Sequence, residues 1–354
     1  MDKNRTDIKE LTFEELKAVL KEMGEPDFRV GQVLSWLFQK DASGFEEMTD
    51  LGRTLRDKLA VRFSVSWPEL AQHLRSRDGA EKFLLRLADG RFIETVLIPG
   101  PDRATVCLST QVGCRFGCPF CASGRPGFVR DLSAAEVVNQ VLFVRRGSGR
   151  PVTHVVFMGM GEPLDNFDNV GRAIRLLNDR RGVGLAARRI TVSTCGVLPG
   201  LEKLRALGLQ VELSVSLHAA SDELRNRLVP LNRKYPLTKL IPALQDYNRA
   251  TGRQITFEYA LMKGMNDSPQ EAGRLATLAR RARAKVNLIP LSPTSGSGYE
   301  PTPRPAAVAF LRRLEERGVR ATLRRSKGGE IQAACGQLAG IMAGPCREGK
   351  ESER

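Results

Sequence analysis

The sequence lacks long apolar runs and has few aromatic residues, and each shortage excludes a class of function. Aromatic side chains make up 6% of the 354 residues, too few for a protein that binds single strands mainly by stacking bases on aromatic rings. No segment approaches the ~20 consecutive apolar residues that a membrane-spanning helix needs. Residues 1–10 are charged and polar, without the apolar core of a secretory signal. We therefore expect a cytoplasmic protein with no membrane partner.

Positive charge is what the sequence has in excess. Lysine and arginine number 55 against 40 acidic residues, and the formal net charge is +15. A summed charge of this sign attracts phosphate backbones, so the composition favours a nucleic-acid partner over a merely soluble basic protein. The seven cysteines are expected to be reduced in the cytoplasm, which favours metal binding or catalysis over structural disulfides.

The pattern of apolar residues divides the chain into four parts. Three helical patterns indicate a small helical domain over residues 1–65, which is a candidate accessory domain for nucleic acid. Two strand-like runs flank an Asp-Gly pair, a hairpin turn signal, so residues 66–100 are predicted to form a β-hairpin linker. Residues 101–343 are predicted to be the larger core, and residues 344–354 a carboxyl-terminal tail.

Strands and helices alternate through the predicted core. Six apolar, β-branched runs are separated by helical patterns, which implies parallel strands with crossover helices. The expected fold class is α/β, as a partial (βα)6 barrel, with a doubly wound sheet as the alternative. Polar and sulfur-bearing residues fall just after the strand ends, where βα barrels place their active sites. The predicted strands are residues 104–109, 152–158, 189–194, 211–217, 254–261 and 286–291, and the predicted helices are residues 133–146, 169–179, 198–207, 237–251, 269–284 and 305–317.

Three cysteines closely follow the first strand of the core. Cys114, Cys118 and Cys121 have the spacing CxxxCxxC. Thiolates bind soft metals and iron–sulfur clusters, and three of them on a [4Fe–4S] cluster leave one iron open for another ligand. A zinc site is the alternative, but it needs a fourth Cys or His at short range. Cys107, the nearby candidate, lies inside an apolar strand.

A glycine-rich segment follows the second strand of the core. In residues 159–163, Gly161 permits close approach of a ligand to the backbone, and the carboxylate of Glu162 can accept hydrogen bonds from an ammonium group. The alternative is an ordinary βα loop. Together with the cysteine spacing, this segment resembles the radical S-adenosylmethionine (SAM) superfamily. The resemblance implies that the open iron binds SAM and that electron transfer cleaves SAM to a 5′-deoxyadenosyl radical.

Another cysteine stands in a glycine-rich stretch near the carboxyl terminus. Cys335 has glycines on both sides, which suits a mobile loop better than a core. The basic residues nearby, Arg324, Arg325 and Lys327, are expected to lower the pKa of its thiol and to bind phosphate. Alone, Cys335 or Cys107 would more often be a small buried side chain.

From about residue 10 to residue 343 the chain resembles the RlmN family of adenosine C2 methyltransferases. Long matches in a fixed order are more specific than any single motif. The resemblance implies methylation of C2 of an adenosine in 23S ribosomal RNA, and of the adenosine beside the anticodon in certain tRNAs. The matching segments are residues 93–95, 109–114, 157–163, 190–194, 216–218, 286–290 and 333–338.

The same resemblance implies roles for two thiols and a carboxylate. Cys335 is methylated by one SAM, and a second SAM supplies the radical that removes hydrogen from the S-methyl group. The carbon then adds to adenine, and Cys107 releases the product by forming a transient disulfide with Cys335. Glu94 is the implied proton acceptor, although strand alternation alone would allow its side chain to point outward.

The resemblance also implies a set of SAM-binding positions. Ser292 departs from the family, where asparagine is usual, and a serine lacks the amide group. Cys195 and Cys346 fall on no thiol of the family and are interpreted as non-catalytic. The implied positions are Gly161, Glu162, Ser193, Ser216, Leu217, His218 and, as the departure, Ser292.

Three other functions remain open at this point. A related C8 methyltransferase would share the cysteines and the mechanism but methylate another carbon of the same ribosomal adenosine. A non-catalytic RNA-binding protein would hold a structural metal in place of a cluster. A radical SAM enzyme of different chemistry would not need Cys335. The function we expect is the C2 methyltransferase, acting as a monomer with a reductant or electron-donor protein.

Overall fold

The computed structural model of the chain describes residues 5–294 and 296–340. The predicted tail, residues 344–354, and Cys346 lie outside the described residues. No helix in the described ranges is long and apolar enough to cross a membrane. Apart from short 3-10 turns, the helices are α1 Phe13–Glu22, α2 Phe28–Phe38, α3 Arg53–Arg62, α4 Ala134–Ser148, α5 Phe167–Asn178, α6 Leu198–Ala206, α7 Asp222–Leu228, α8 Leu237–Thr251, α9 Pro269–Arg281 and α10 Arg304–Glu315. The strands are β1 Thr6–Asp7, β2 Phe63–Ser64, β3 Glu69–Arg75, β4 Glu81–Arg86, β5 Phe92–Pro99, β6 Ala104–Cys107, β7 Gln111–Gly113, β8 Phe128–Asp131, β9 His154–Phe157, β10 Ile190–Thr194, β11 Glu212–Ser216, β12 Thr256–Leu261, β13 Lys285–Pro290 and β14 Ala321–Leu323.

Ten strands form one sheet, in the order β14-β13-β12-β11-β10-β9-β6-β5-β4-β3. The seven strands from β14 to β6 in this order are parallel. Neighbours among them follow the order of the chain, whereas a doubly wound sheet reverses its strand order at a switch point. Because β3 and β14 are edges, the barrel is open. The predicted partial barrel is confirmed, and the doubly wound alternative is wrong.

The structure has one more parallel strand than the sequence predicts. β14 has three residues, none of them fully buried. It therefore lacks the apolar run by which a strand of a parallel sheet is recognised. The six predicted strands, in contrast, each coincide with a strand of the sheet.

The hairpin predicted as a linker is continuous with the main sheet. β4 and β5 pair antiparallel, with Arg86 opposite Phe92, and β5 in turn pairs with β6. Residues 93–97 are all buried, because β5 has a neighbouring strand on each side and is covered on both faces. The hairpin thus carries side chains into the core, and its assignment as a linker between domains remains a prediction.

The amino-terminal helices are joined to the core by polar contacts as well as apolar ones. The three predicted helices are confirmed as α1, α2 and α3. The buried Lys9 donates from Nζ to the Ser66 carbonyl at 2.6 Å, and Arg145 of α4 forms an ion pair with Asp41. The assignment of residues 1–65 as a separate domain remains a prediction.

A small hairpin after β6 carries the cysteine motif. β7 and β8 pair antiparallel and enclose residues 114–127. Gly113 makes the pairing possible, because its φ is +76° and a Cβ there would lie 1.7 Å from the Gly127 carbonyl oxygen. The motif is thereby fixed near the carboxyl ends of the parallel strands.

Candidate active site

A cavity of about 1090 Å³, counted with its mouth, opens at the carboxyl ends of the parallel strands. Its walls come from the cysteine hairpin, from the ends of β9, β10, β11 and β13, and from the carboxyl-terminal segment. Three predicted site residues, Leu217, Cys107 and Glu94, do not line it. The predicted site residues that do are Cys114, Cys118, Cys121, Gly161, Glu162, Ser193, Ser216, His218, Ser292 and Cys335.

The cluster loop, residues 114–121, brings three thiols to one side of this cavity. The Cys121 amide donates to the Cys118 carbonyl at 3.0 Å, which closes a turn. Burial raises the pKa of Cys114 to about 12 and also raises the pKa of Cys118, and the neighbouring Cys121 adds to both shifts. Three thiolates this close repel one another, so the loop suits a cationic centre that all three can bind.

The donor set of the cluster loop fits an iron–sulfur cluster. Within the described ranges no three Cys, His, Asp or Glu side chains are arranged to hold a single metal ion. In a cubane each thiolate binds a different iron atom, so its sulfurs stand further apart than ligands of one ion. All three donors here are sulfur, which is the ligand of iron–sulfur clusters.

The glycine-rich turn fixes Glu162 in the cavity wall. Gly161 has a φ of +94°, and a Cβ there would lie 2.6 Å from Gln111 Cβ. The buried carboxylate of Glu162 accepts backbone N–H groups from Leu164 at 3.0 Å and Cys195 at 2.8 Å. Burial raises its pKa, and these hydrogen bonds act against that rise. The side chains of Thr194 and Cys195 also form hydrogen bonds with this carboxylate. The carboxylate lines the cavity, where its negative charge can attract an ammonium group.

Two serines and a histidine from neighbouring strand ends form the next part of the wall. Ser193 Oγ lies 3.5 Å from Ser216 Oγ. His218 has a φ of +56°, and its Nδ1 accepts the Ala260 N–H at 3.1 Å, which leaves Nε2–H as the donor of a neutral ring. Burial, and then the charge of Arg225, lowers the pKa of His218 to about 3. The imidazole is therefore uncharged near neutral pH.

Two predicted SAM positions differ in what they offer the cavity. Leu217 is fully buried, and its backbone N–H donates to the Glu258 carbonyl at 3.0 Å. It can therefore contribute to the site only through the position of its backbone. Ser292, which follows β13, lines the cavity and can contribute a hydroxyl.

The Cys335 segment, residues 332–340, packs against the cluster loop. The Ala122 amide donates to the Gly336 carbonyl at 2.7 Å, and Ser123 Oγ donates to the Leu338 carbonyl at 2.7 Å. Cys335 is exposed to the cavity. The segment thus places a fourth sulfur in the cavity that the three thiols of the cluster loop share.

The prediction that basic neighbours lower the pKa of the Cys335 thiol is wrong. Enclosure by the cavity walls raises that pKa, and the opposing charge of Arg324 does not cancel the rise. Lys327 is engaged elsewhere, since its Nζ donates to the Pro99 carbonyl at 2.6 Å. The sequence shows which basic residues are near Cys335 but not how far its thiol is desolvated. Desolvation has the larger effect on the pKa.

Cys107 lies at the end of β6, behind the cavity wall. Its side chain is buried, and this burial raises its pKa to about 12, with a further contribution from Cys335. The two thiols are thus close enough for their charges to interact. Both are free thiols in the structure.

Glu94 points into the protein, so the outward orientation that strand alternation allows is wrong. Its Oε1 pairs with Lys82 Nζ at 2.8 Å, and its Oε2 accepts the N–H groups of Ala339 at 2.6 Å and Gly340 at 2.9 Å. Lys82 Nζ also donates to the Gln332 carbonyl at 3.2 Å. This buried pair, the Lys82–Glu94 clasp, holds both ends of the Cys335 segment.

Sequence analysis missed two buried basic residues of the site, Lys82 and Arg225. A signal for Lys82 was available, because it stands in an apolar strand where a charge is costly without a partner. Arg225 is fully buried and lies on α7. That seven-residue helix is too short and too polar for its apolar pattern to be recognised.

The chain is similar to known proteins along most of its length. The sequence profile of the radical SAM superfamily matches residues 108–276. The profile of the ribosomal RNA large subunit methyltransferase N-terminal domain matches residues 6–65. The crystal structure of a radical SAM methyltransferase from Sphaerobacter thermophilus has a TM-score of 0.90 and 44% sequence identity, covering 95% of this chain and 100% of that one.

Two curated relatives are similar along most of the chain. The dual-specificity RNA methyltransferase RlmN of Nitratidesulfovibrio vulgaris is 46% identical over 346 residues, which cover 94% of each protein. The probable dual-specificity RNA methyltransferase RlmN of Gemmatimonas aurantiaca is 48% identical over 316 residues, 89% of this chain and 87% of that protein. Identity of this extent over nearly the full length shows that the chain belongs to the RlmN family of the radical SAM superfamily.

Proposed function

We propose that this protein is an RNA methyltransferase that methylates C2 of an adenosine in 23S ribosomal RNA, and of the adenosine beside the anticodon in certain tRNAs. The observation that carries the proposal is the position of Cys335, a free thiol in the cavity lined by the cluster loop. The names of the relatives as dual-specificity RNA methyltransferases and the net charge of +15 support an RNA substrate.

The superfamily implies a [4Fe–4S] cluster and SAM as cofactors. Cys114, Cys118 and Cys121 would hold the cluster, and Glu162 would receive the ammonium group of SAM. When bound, the two supply a one-electron cleavage of SAM, whose product can remove hydrogen from a methyl group. The other residues proposed to contact SAM are Gly161, Ser193, Ser216, Leu217 through its backbone, His218 and Ser292.

Cys335 would carry the transferred carbon. Its thiol must lose a proton before it takes a methyl group, and the charge of Arg324 favours the thiolate. The S-methyl carbon loses one hydrogen to the radical derived from SAM and bonds to adenine C2, after which the C2 proton passes to Glu94 and one electron would return to the cluster. The Cys107 thiolate then attacks the Cys335 sulfur. An S–S bond forms, and the S–C bond breaks with its electron pair on carbon, which takes up a proton to become the methyl group.

Glu94 would accept the proton that leaves adenine C2. In the arrangement of the clasp, Oε1 of Glu94 is occupied by Lys82 and Oε2 by two backbone amides. Glu94 also does not line the cavity, so it can reach an adenine in the cavity only when the Cys335 segment shifts. We assign Glu94 two successive tasks, which are to hold the segment and then to take the proton.

The proposed reaction consumes SAM and reducing equivalents, and it requires the target base to enter the cavity. Each methyl transfer would use two SAM molecules, one for Cys335 and one for the radical. A reductant or electron-donor protein would reduce the cluster, and the disulfide would be reduced before the next turnover. The target adenine would leave its stack to enter the cavity. We expect a monomer that acts in the cytoplasm.

Anaerobic reconstitution tests the proposal. The protein is loaded with iron and sulfide, incubated with SAM, a reductant and unmodified 23S rRNA or tRNA, and the digested RNA is compared with 2-methyladenosine and 8-methyladenosine standards. We expect 2-methyladenosine. The appearance of 8-methyladenosine alone would replace the proposal by the related C8 methyltransferase. Bound zinc with no SAM cleavage would favour a non-catalytic RNA-binding protein.

A further inference from the structure

Arg225 is a buried cation whose hydrogen-bond partners are all neutral. Its side chain is fully buried. It donates to the carbonyls of Leu217 at 3.2 Å, Cys195 at 2.6 Å and Ser216 at 3.4 Å, and to the amide oxygen of Asn232 at 2.7 Å. Burial of a charge without an opposite charge beside it is costly. A negative charge in direct contact is therefore missing, and the Asp222 carboxylate acts on Arg225 only from the far side of Asn232.

The acidic residues on either side of Arg225 are engaged with other groups. Asp222 Oδ1 accepts from Asn232 Nδ2 and from the Leu237 N–H, both at 2.8 Å. Glu162, on the far side of Cys195, accepts backbone N–H groups through both oxygens. Across the residues that the structure describes, no carboxylate forms an ion pair with Arg225.

The charge of Arg225 reaches the sulfur atoms of the cavity. Its guanidinium lies directly behind the cavity wall, because it donates to the carbonyls of Cys195 and Ser216, and both residues line the cavity that the cluster loop shares. Burial lowers the pKa of Arg225, and negative charges on Cys195, on Cys118 and on Asp222 act against that shift. A thiolate-bound cluster at the cluster loop would therefore supply the missing negative charge.

A fixed cation at this place favours one redox state of the cluster over the other. An oxidised cubane held by three thiolates carries about one net negative charge, and its one-electron reduction adds a second. Arg225 stabilises the more negative form more strongly, and the low dielectric around a fully buried group strengthens that effect. Its presence therefore raises the reduction potential.

We propose that Arg225 is the internal counter-charge of the iron–sulfur cluster and brings its reduction potential within reach of the electron donor. This inference rests on the proposed function, because it requires a cluster on Cys114, Cys118 and Cys121. Arg225 is a positioning residue in this scheme, since it acts through the cluster and its fully buried side chain does not line the cavity. The alternative is that Arg225 only braces the carbonyls of the strand ends.

Two substitutions separate charge from bracing. Arg225→Gln keeps N–H donors for the carbonyls but removes the charge, and Arg225→Lys keeps the charge but loses the planar fork of donors. Both variants and the unaltered protein are reconstituted anaerobically, titrated with dithionite, and followed by the electron paramagnetic resonance signal of the reduced cluster. We expect at least a tenfold less favourable reduction in Arg225→Gln, which is about 59 mV for one electron. Arg225→Lys should stay within about threefold of the unaltered protein.

The other possible outcomes also either support or overturn the role of the Arg225 charge. An unchanged potential in Arg225→Gln, or equal shifts in both variants, would overturn the inference, because charge would then not be the cause. If only Arg225→Gln fails to take up a cluster, the charge is required and the inference stands. If both variants fail to take up a cluster, the hydrogen-bond geometry of the guanidinium is required rather than its charge, and the inference is overturned. A cluster-free unaltered protein would contradict the proposed function itself, and this outcome is recognised before any variant is compared.

Discussion

The cluster loop and the Cys335 segment share one cavity, but the chain holds them in different ways. The cluster loop is closed by its own β7–β8 hairpin, so its anchor is local. The Cys335 segment is held by Ser123 and by the Lys82–Glu94 clasp, from strands that lie far away in sequence. The three cluster thiols are therefore positioned by local structure, whereas the fourth thiol, Cys335, is positioned by tertiary contacts.

The largest effect is expected from removal of the thiol in the Cys335 segment. Cys335→Ala should abolish methylated adenosine, because no other sulfur would carry the carbon, while the iron content stays unchanged because the cluster loop is intact. Iron analysis of the protein and nucleoside analysis of the RNA from the same reaction measure these two effects. Cys195→Ala, which removes another cavity thiol, is the matched control and should still give product. Product from Cys335→Ala would mean that the protein performs a different radical reaction.

The next largest effect is expected from removal of the Cys107 thiol, which lies behind the cavity wall. Cys107→Ala should stop the reaction after the carbon has bonded to adenine, because no thiolate remains to attack the Cys335 sulfur. A covalent complex between protein and RNA should then accumulate and migrate slowly on a denaturing gel. Nuclease digestion should remove the shift. Free methylated RNA without a covalent complex would exclude Cys107 from the release step.

Disruption of the clasp should affect the Cys335 segment and spare the cluster loop. Lys82→Met leaves the buried Glu94 carboxylate unpaired, which should lower the free energy of unfolding by about 3–5 kcal/mol. Alkylation of Cys335 should become about tenfold faster as the segment detaches, while iron uptake persists. Urea unfolding and mass spectrometry of the alkylated peptide measure the two effects.

An exposed ion pair provides the control for that experiment. Lys203 pairs with Asp168 at 2.7 Å, but both side chains are more than half exposed. Lys203→Met should therefore cost less than about 1 kcal/mol and leave alkylation of Cys335 unchanged. If the two lysine variants behaved alike, the clasp would not be what positions the segment.

The smallest effect is a pH dependence from His218, which lies in the wall of the cavity that the two regions share. Folded His218 stays neutral down to about pH 3, whereas the unfolded chain protonates it near its ordinary pKa of about 6.5. The unfolded state then binds more protons between these values, so stability falls as the pH is lowered from about 6.5, by at most about 1.4 kcal/mol per pH unit. In urea unfolding from about pH 7 to about pH 5, His218→Asn should lose less stability than the unaltered protein. Parallel losses would show that His218 is more hydrated than its burial indicates.

The same difference between local and tertiary fixing explains what the sequence could predict. The CxxxCxxC spacing and the apolar strands are local patterns, so the partial barrel and the cavity position of Cys114, Cys118 and Cys121 were predictable. The inward orientation of Glu94 was not, because it depends on a partner, Lys82, on another strand and on amides near the carboxyl terminus. The resemblance to a family named Glu94 without showing what holds it.

The sequence also could not predict how charged groups behave in the protein interior. The raised pKa of Cys335 follows from desolvation by walls that several elements build together, and sequence neighbours such as Arg324 describe only the opposing charge. Arg225 gave no signal at all, because an arginine on a short polar helix normally lies at the surface. Its burial becomes visible only when the strand ends are folded around it.

The central claim is that Cys335 carries the transferred carbon, and a labelling experiment tests it most directly. The reconstituted protein is incubated with SAM whose methyl group is isotopically labelled, without RNA, and its peptides are analysed by mass spectrometry. We expect one labelled methyl group on the peptide that contains Cys335, and the transfer of that label into methylated adenosine when RNA is added. Labelled RNA formed by a protein whose Cys335 peptide never acquires the label would contradict it.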